Sequence, residues 1–251
     1  MQIAAGLSGM AMGMGMVAML FLTMPVFQRS PTAQTLPELE LHLVLAFDVS
    51  ASVNDVEFAR QRRGTAAALR APSVMRAIRN APGGVAMSVV QWSSIRRQAS
   101  GLGWAWIQTD EETVAFARAV DAMPRRLEGG GTMIHAGLSY AAEQFDTAPH
   151  VARRQVIDLS GNGQTDDAIK LREVRDSLLR RGIVINALAI EEDTDDLTDY
   201  FHAEVIGGRQ SFVITADDWN DFSRAMQIKL LREIRGAVFS STPTVTQRAS
   251  R

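Results

Sequence analysis

The sequence predicts an α/β fold: a doubly wound, mainly parallel central sheet flanked by helices in a three-layer sandwich. Three observations predict it. Nearly continuous apolar runs recur at residues 41–47, 85–92, 155–160 and 183–190, as expected of strands buried on both faces. Helical patterns lie between them, the rhythm of βαβ units. Polar or glycine-containing turns follow strand ends, which is where such sheets bind ligands.

The elements follow in order. Residues 41–47 (Leu-His-Leu-Val-Leu-Ala-Phe) form the first strand. Residues 55–79 are helical, interrupted near Pro72, with Ser52 or Asn54 as the cap. Residues 85–92 form a second strand and 98–107 a third, which Gly101 and Gly103 weaken. Residues 111–122 form a helix with acids in its first turn, matching the helix dipole. Gly129-Gly130-Gly131 breaks the chain, and Thr132 opens a helix to about Phe145. Residues 155–160 form a strand with Gly161-Asn162-Gly163 as its exit turn. Residues 166–181 form a helix stopped by Gly182, and 183–190 another strand. A short helix at 195–203, a strand at 211–215 and a helix at 217–234 close the domain. That last helix carries Trp219, Phe222, Met226 and Leu230 on one face.

The ends read differently. Residues 1–28 include a 27-residue stretch without a charged side chain, long enough to span a bilayer or to serve as an export signal. No Lys or Arg precedes it, and Arg29 follows it. The expectation is export, periplasmic or anchored through residues 1–27 and facing the periplasm. Residues 29–40 read as a linker, 41–236 as the domain, and 237–251 as a polar, disordered tail.

Composition narrows the function. The 251 residues carry 22% charged and 46% hydrophobic side chains and a net charge of −2, so nothing favours nucleic acid. The arginine pairs at 62–63, 96–97, 125–126 and 153–154 read as scattered solvated faces. The absence of cysteine excludes a thiol nucleophile, disulfides and a cysteine zinc site. The four histidines show no HExxH spacing, and the glycine run at 129–131 lacks the residues of a phosphate loop. Glu191, Glu192, Asp193, Asp195 and Asp196 read as a solvated acidic loop rather than a calcium site. Trp104 and Trp106, spaced by two, cover one sheet face.

Asp48-Val49-Ser50-Ala51-Ser52 leaves the end of the first strand. A carboxylate and two hydroxyls at i, i+2 and i+4 are hard oxygen donors suited to Mg²⁺ or Mn²⁺. Equally, Ser and Asp cap helices without any metal. Asn162 lies at another strand end, and the glycine loop can bring Thr132 to the same edge.

Taken together, Asp48-x-Ser50-x-Ser52, Thr132 opening a helix and a polar residue after a later strand resemble the von Willebrand factor A domain over residues 41–235. Closer still is the resemblance to a group of uncharacterised bacterial A-type domains of unknown function, DUF1194-like. The segments Leu45–Val53, Val90-Gln91-Trp92-Ser93, Val156–Gly163 and Val205-Ile206-Gly207-Gly208 carry it. The resemblance implies a metal-ion-dependent adhesion site. Ser50 and Ser52 would bind the cation directly, and Asp48 and Thr132 directly or through water. The fifth position, usually aspartate, is Asn162. It offers a carbonyl oxygen but one negative charge fewer, so weaker binding of Mg²⁺ (or Mn²⁺ or Ca²⁺) is expected. Asp158 sits inside the strand and reads as a buried, hydrogen-bonded residue.

The expected function is a binding module, not an enzyme. A cation held mainly by neutral hydroxyls stays electrophilic and accepts a carboxylate from a protein partner. Two other readings stay open. One is a metal-free scaffold with a degenerate site. The other is a hydrolase or phosphatase using Asp48, which lacks the second aspartate, because Ser50 stands there, and a well-placed lysine.

Overall fold

In the computed structural model, residues 38–192 and 196–236 are described. Six strands form one sheet in the order β3-β2-β1-β4-β5-β6. They are β1 (Glu38–Asp48), β2 (Val85–Trp92), β3 (Gln98–Ile107), β4 (Val151–Gly161), β5 (Val184–Ile190) and β6 (Val213–Ala216). All neighbours pair parallel except β2 and β3. The chain winds one way from β1 to β3 and the other way from β4 to β6. The β1/β4 boundary is therefore the switch point, where sheets of this kind leave a crevice beyond the strand ends.

Among the described residues, seven α-helices cover the sheet: α1 (Asp55–Leu69), α2 (Pro72–Arg79), α3 (Asp110–Ala122), α4 (Ile134–Glu143), α5 (Ala168–Arg180), α6 (Leu197–Tyr200) and α7 (Phe222–Arg235). The alternation of β1 divides the core. Leu41, Leu43, Leu45 and Phe47 pack with Phe58, Ile78, Phe116, Phe222 and Met226, from α1, α2, α3 and α7. Val44 and Ala46 face Ile134, Leu138, Leu171 and Leu178, from α4 and α5. Each such side chain contributes about 1.5–3 kcal/mol on burial. Local signals start the helices. Asn54 and Glu57 form a capping box on α1, and Thr109 and Glu112 form one on α3. Pro72 fits the first turn of α2, where no amide partner is lost. Among the described residues, no helix is long and apolar enough to cross a membrane.

Several boundaries differ from the sequence reading. Strand β1 starts at Glu38, three residues inside the span read as linker, because Glu38 and Leu39 already pair with β4. Strand β4 starts at Val151. Helix α4 starts at Ile134 after Met133, so Thr132 is neither its first residue nor its cap. Helix α7 starts at Phe222, because Asp218 ties down the amides of Asn220 and Asp221 in a preceding turn. The short helix is Leu197–Tyr200 continued by a π-turn to Val205; Asp193 and Asp195 lie outside the described residues. The leader 1–28 and the tail 237–251 lie outside them too. Gly101 does not break β3: a β-carbon there would sit 2.4 Å from Met123 Sδ, so its bareness is a packing requirement.

A second close approach gives a test. A β-carbon on Gly137 of α4 would lie 2.7 Å from the Trp92 indole, which is fully buried. Gly137→Ala is expected to cost about 1–3 kcal/mol through overpacking, despite alanine's better helix propensity. Chemical denaturation of the two proteins measures it.

One core feature is polar. Lys229 of α7 is fully buried, with Nζ 2.7 Å from Asp158 Oδ1 and 2.7 Å from Glu233 Oε1. The Asp158 contact is off hydrogen-bond direction and is best described as an ion pair. Asn186 donates to Glu233 at 3.0 Å and accepts from the Phe212 amide at 3.1 Å. Burial, then the charge of Asp158, pushes the Glu233 carboxyl up to about 8, so near neutrality it holds its proton.

Candidate functional site

Strands β1 and β4 run in register, with Phe47 opposite Ser160, so both chains leave the sheet at one rim. Asp48 is fully buried there. Its Oδ1 accepts the Ser50 amide at 2.7 Å. Ser50 Oγ lies 3.0 Å from Ser52 Oγ, which donates to Asn162 Oδ1 at 2.8 Å. Asn162 Nδ2 returns a bond to the Ser52 carbonyl at 3.3 Å. The two strand exits are thus laced together by the residues that the motif contributes.

Thr132 reaches the same rim from the other side. The Gly130 carbonyl accepts the Ala51 amide at 2.9 Å, drawing the glycine loop onto the motif loop. A β-carbon on Gly130 would lie 2.8 Å from Ser94 Oγ and 2.9 Å from Ser93 Oγ, and its φ is +123°. Close approach is therefore what the glycine provides here. Thr132 itself is clasped by Asp166: its amide donates to Asp166 Oδ2 at 2.9 Å, and the Asp166 amide donates to its carbonyl at 3.0 Å. Hydrogen bonds thus join Asp48, Ser50, Ser52 and Asn162, and the glycine loop that carries Thr132 is bonded to the same motif loop.

Deeper groups hold the motif in place. Gln61 of α1 donates to the Asp48 carbonyl at 3.1 Å and accepts from Ser160 Oγ at 2.7 Å, joining helix, β1 and β4. Arg125 donates to the Val49 carbonyl at 3.1 Å and pairs with Asp55. Sequence reasoning missed Gln61, Arg125 and Asp166. For Gln61 a signal exists: it stands three residues after Phe58 and four before Thr65, on the buried stripe of α1. For Asp166 and Arg125, loop residues far away in sequence, none exists.

The electrostatics turn on Asp48. Its Oδ2 is buried and has no hydrogen-bond partner among the described residues. Burial pushes its carboxyl up to about 6, against the hydrogen bonds from Ser50 and the charge of Arg125. An unpartnered buried carboxylate oxygen is costly unless a cation or proton meets it. The sequence motif offers three hydroxyls (Ser50, Ser52, Thr132), one amide oxygen (Asn162) and this carboxylate. All are hard oxygen ligands, which fit Mg²⁺, Mn²⁺ or Ca²⁺ rather than a soft metal. Among the described residues, no group of three or more His, Cys, Asp or Glu is placed to hold a metal. The donor set is thus poor in charge.

Residues 38–238 match the family described as "Protein of unknown function (DUF1194)". The chain belongs to that family. No curated protein sequence matches it. Solved structures place the DUF1194 chain among von Willebrand factor A folds. It is similar to proximal thread matrix protein 1 from the mussel byssus, with 16% identity, a TM-score of 0.55, and 78% of this chain and 48% of that chain covered. The chain thus spans about half the length of the mussel protein, which has also been solved with its MIDAS motif occupied by zinc. It is similar to a von Willebrand factor type A protein from Catenulispora acidiphila, with 16% identity, a TM-score of 0.54, and 78% and 43% covered. It is also similar to the vWF domain of the type V pili tip protein Mfa5 from Porphyromonas gingivalis, with 12% identity, a TM-score of 0.52, and 80% and 98% covered.

Other polar groups of the DUF1194 chain have separate work. Glu191 accepts the Thr198 amide at 2.8 Å at the start of α6. His42 contacts the Pro149 carbonyl at 3.0 Å and packs against Trp104 and Phe145.

Proposed function

We propose that this chain is an exported or membrane-anchored binding module. In this reading Asp48, Ser50, Ser52, Thr132 and Asn162 hold a divalent cation, Mg²⁺ by preference, and the cation accepts a carboxylate from a protein partner. The observation that carries the reading is the buried Oδ2 of Asp48, without a hydrogen-bond partner among the described residues, at a rim that Ser50, Ser52 and Asn162 also occupy. With one carboxylate among five donors, the bound ion keeps most of its charge for an incoming anion. The pili tip domain and the mussel matrix protein, which share the fold, support a binding role by analogy alone. The uncharged apolar stretch at residues 1–27 supports the exported or anchored part of this reading.

A hydrolytic role for Asp48 finds less support. The carboxylate is fully buried, Lys229 is engaged by Asp158 and Glu233, and Lys170 pairs with Glu173 on the surface. The metal-free reading draws on the Ser50–Ser52–Asn162 chain, whose hydroxyls satisfy one another.

Calorimetry of the full chain with Mg²⁺, Mn²⁺ and Ca²⁺ separates these readings. The expected result is binding of at least one ion and a matching rise in melting temperature; no heat and no rise would leave the metal-free scaffold. Asn162→Asp is expected to tighten Mg²⁺ binding about tenfold, ~1.4 kcal/mol. The same change brings a second carboxylate close to Asp48 and lowers the melting temperature of the metal-free protein. An affinity equal to or weaker than wild type would show that position 162 does not face the ion.

A further inference from the structure

We propose that the partner is selected by the rim formed by the β2–β3 turn and the 124–131 loop, and that this rim fits an acidic protein segment bearing an apolar side chain. The inference rests on the cation reading above and names the partner class for that site. The arginine pairs 96–97 and 125–126 are far apart in sequence but flank one loop in the fold. Arg97 Nη1 donates to the Glu128 carbonyl, and the Arg126 amide donates to Gln91 Oε1 at 2.8 Å. Arg125 is spent internally on Asp55 and the carbonyls of Val49 and Leu127. Arg96, Arg97 and Arg126 are exposed, and among the described residues none has a carboxylate within ion-pair distance.

The turn between β2 and β3 is built to present side chains. Ser93 and Arg97 close it, with the Ser93 amide donating to the Arg97 carbonyl at 3.0 Å. Arg96 adopts a φ of +61°, a left-handed conformation that costs a non-glycine residue on the order of 1 kcal/mol. Beside it, Ile95 is 58% exposed. The turn is fastened to the cation rim: Ser93 Oγ donates to the Gly129 carbonyl at 3.0 Å, and the Met133 amide donates to the Ser93 carbonyl at 3.0 Å. One residue further, Gly130 holds the motif loop.

Charge is therefore polarised across the rim. Guanidinium groups stand on the β2–β3 side, and exposed Asp166 and Asp167 stand on the α5 side. A segment that gives one carboxylate to the cation gains charge-assisted contacts by laying further acids over Arg96, Arg97 and Arg126, where planar forks match carboxylates. Its apolar side chain covers Ile95.

A random-peptide display library panned on the full chain in Mg²⁺ tests this. Parallel arms use Arg96→Glu/Arg97→Glu/Arg126→Glu, the milder Arg126→Gln, and the wild type in chelator. Enriched peptides are expected to carry two or more acids beside an apolar residue. Their affinity, read by fluorescence anisotropy, is expected to fall at least tenfold in the charge-reversed protein, and measurably in Arg126→Gln, whose melting temperature is expected to stay unchanged because only the Arg126 backbone amide is bonded. Failure to enrich, enrichment of neutral or basic peptides, or equal affinity for the charge-reversed protein would overturn the proposal. Acidic peptides that bind the wild type in chelator and lose affinity in the reversed variant would uphold this rim while removing the cation.

Discussion

Replacing Lys229 with methionine is expected to destabilise the protein by about 3–5 kcal/mol, a large part of the total for a domain of this size. Methionine fits the volume, so the loss is electrostatic. Asp158 would remain under α7 with no countercharge, beside a Glu233 that holds its proton, and Asn186, bonded to Glu233, cannot take the place of the lysine. Replacing all three ionisable groups together, with Asp158→Leu, Lys229→Met and Glu233→Leu, is expected to recover much of the loss, because no charge is left to desolvate. Urea denaturation of the single and triple variants decides the matter. A Lys229→Met protein as stable as wild type would mean that the cluster is already neutral throughout.

The same cluster makes stability depend on pH with a definite sign. The Glu233 carboxyl titrates higher in the folded protein than in the unfolded chain, so the folded state holds the extra proton. Its contribution is complete below the ordinary carboxylate value and is lost as pH rises toward about 8. Glu233→Gln, which keeps a donor in place of the proton, flattens that decline.

The second large effect is expected at Asp48, and there stability and binding move in opposite directions. Asp48→Asn removes a buried carboxylate whose Oδ2 has no partner among the described residues, while leaving an oxygen to accept the Ser50 amide. The metal-free protein is expected to gain about 1–3 kcal/mol. Mg²⁺ affinity is expected to fall at least about a hundredfold, because the donor set loses its only formal charge. Thermal melts with and without Mg²⁺ report both at once. A metal-free Asp48→Asn protein that melts lower than wild type would show that the carboxylate is satisfied by a group other than a cation.

Much of the architecture is legible because its signals are local. Strand β2 occurs at the residues that its apolar run indicates, β3 holds its expected bounds despite two glycines, and Asn54 caps α1 through bonds to amides two and three residues away. Boundaries slip where long-range pairing decides them, as at Glu38 and Val151, which form strand because each lies opposite the other in the sheet. The cation motif is legible for the same local reason, since Asp48, Ser50 and Ser52 share one loop. Its supports are not. Gln61 and Asp166 matter through partners 13 and 34 residues away, and Lys229 has its partner Asp158 on a strand distant in sequence.

The bond between Ser52 and Asn162 spans 110 residues of sequence. While the chain is being made, the Asp48 loop therefore waits without its other half until the fourth strand has been laid against the first. Pairings of such long range form late, after the local turns and helices. Any ligand of this rim meets a finished sheet rather than a folding intermediate, so it can reward the native register but cannot speed the search for it.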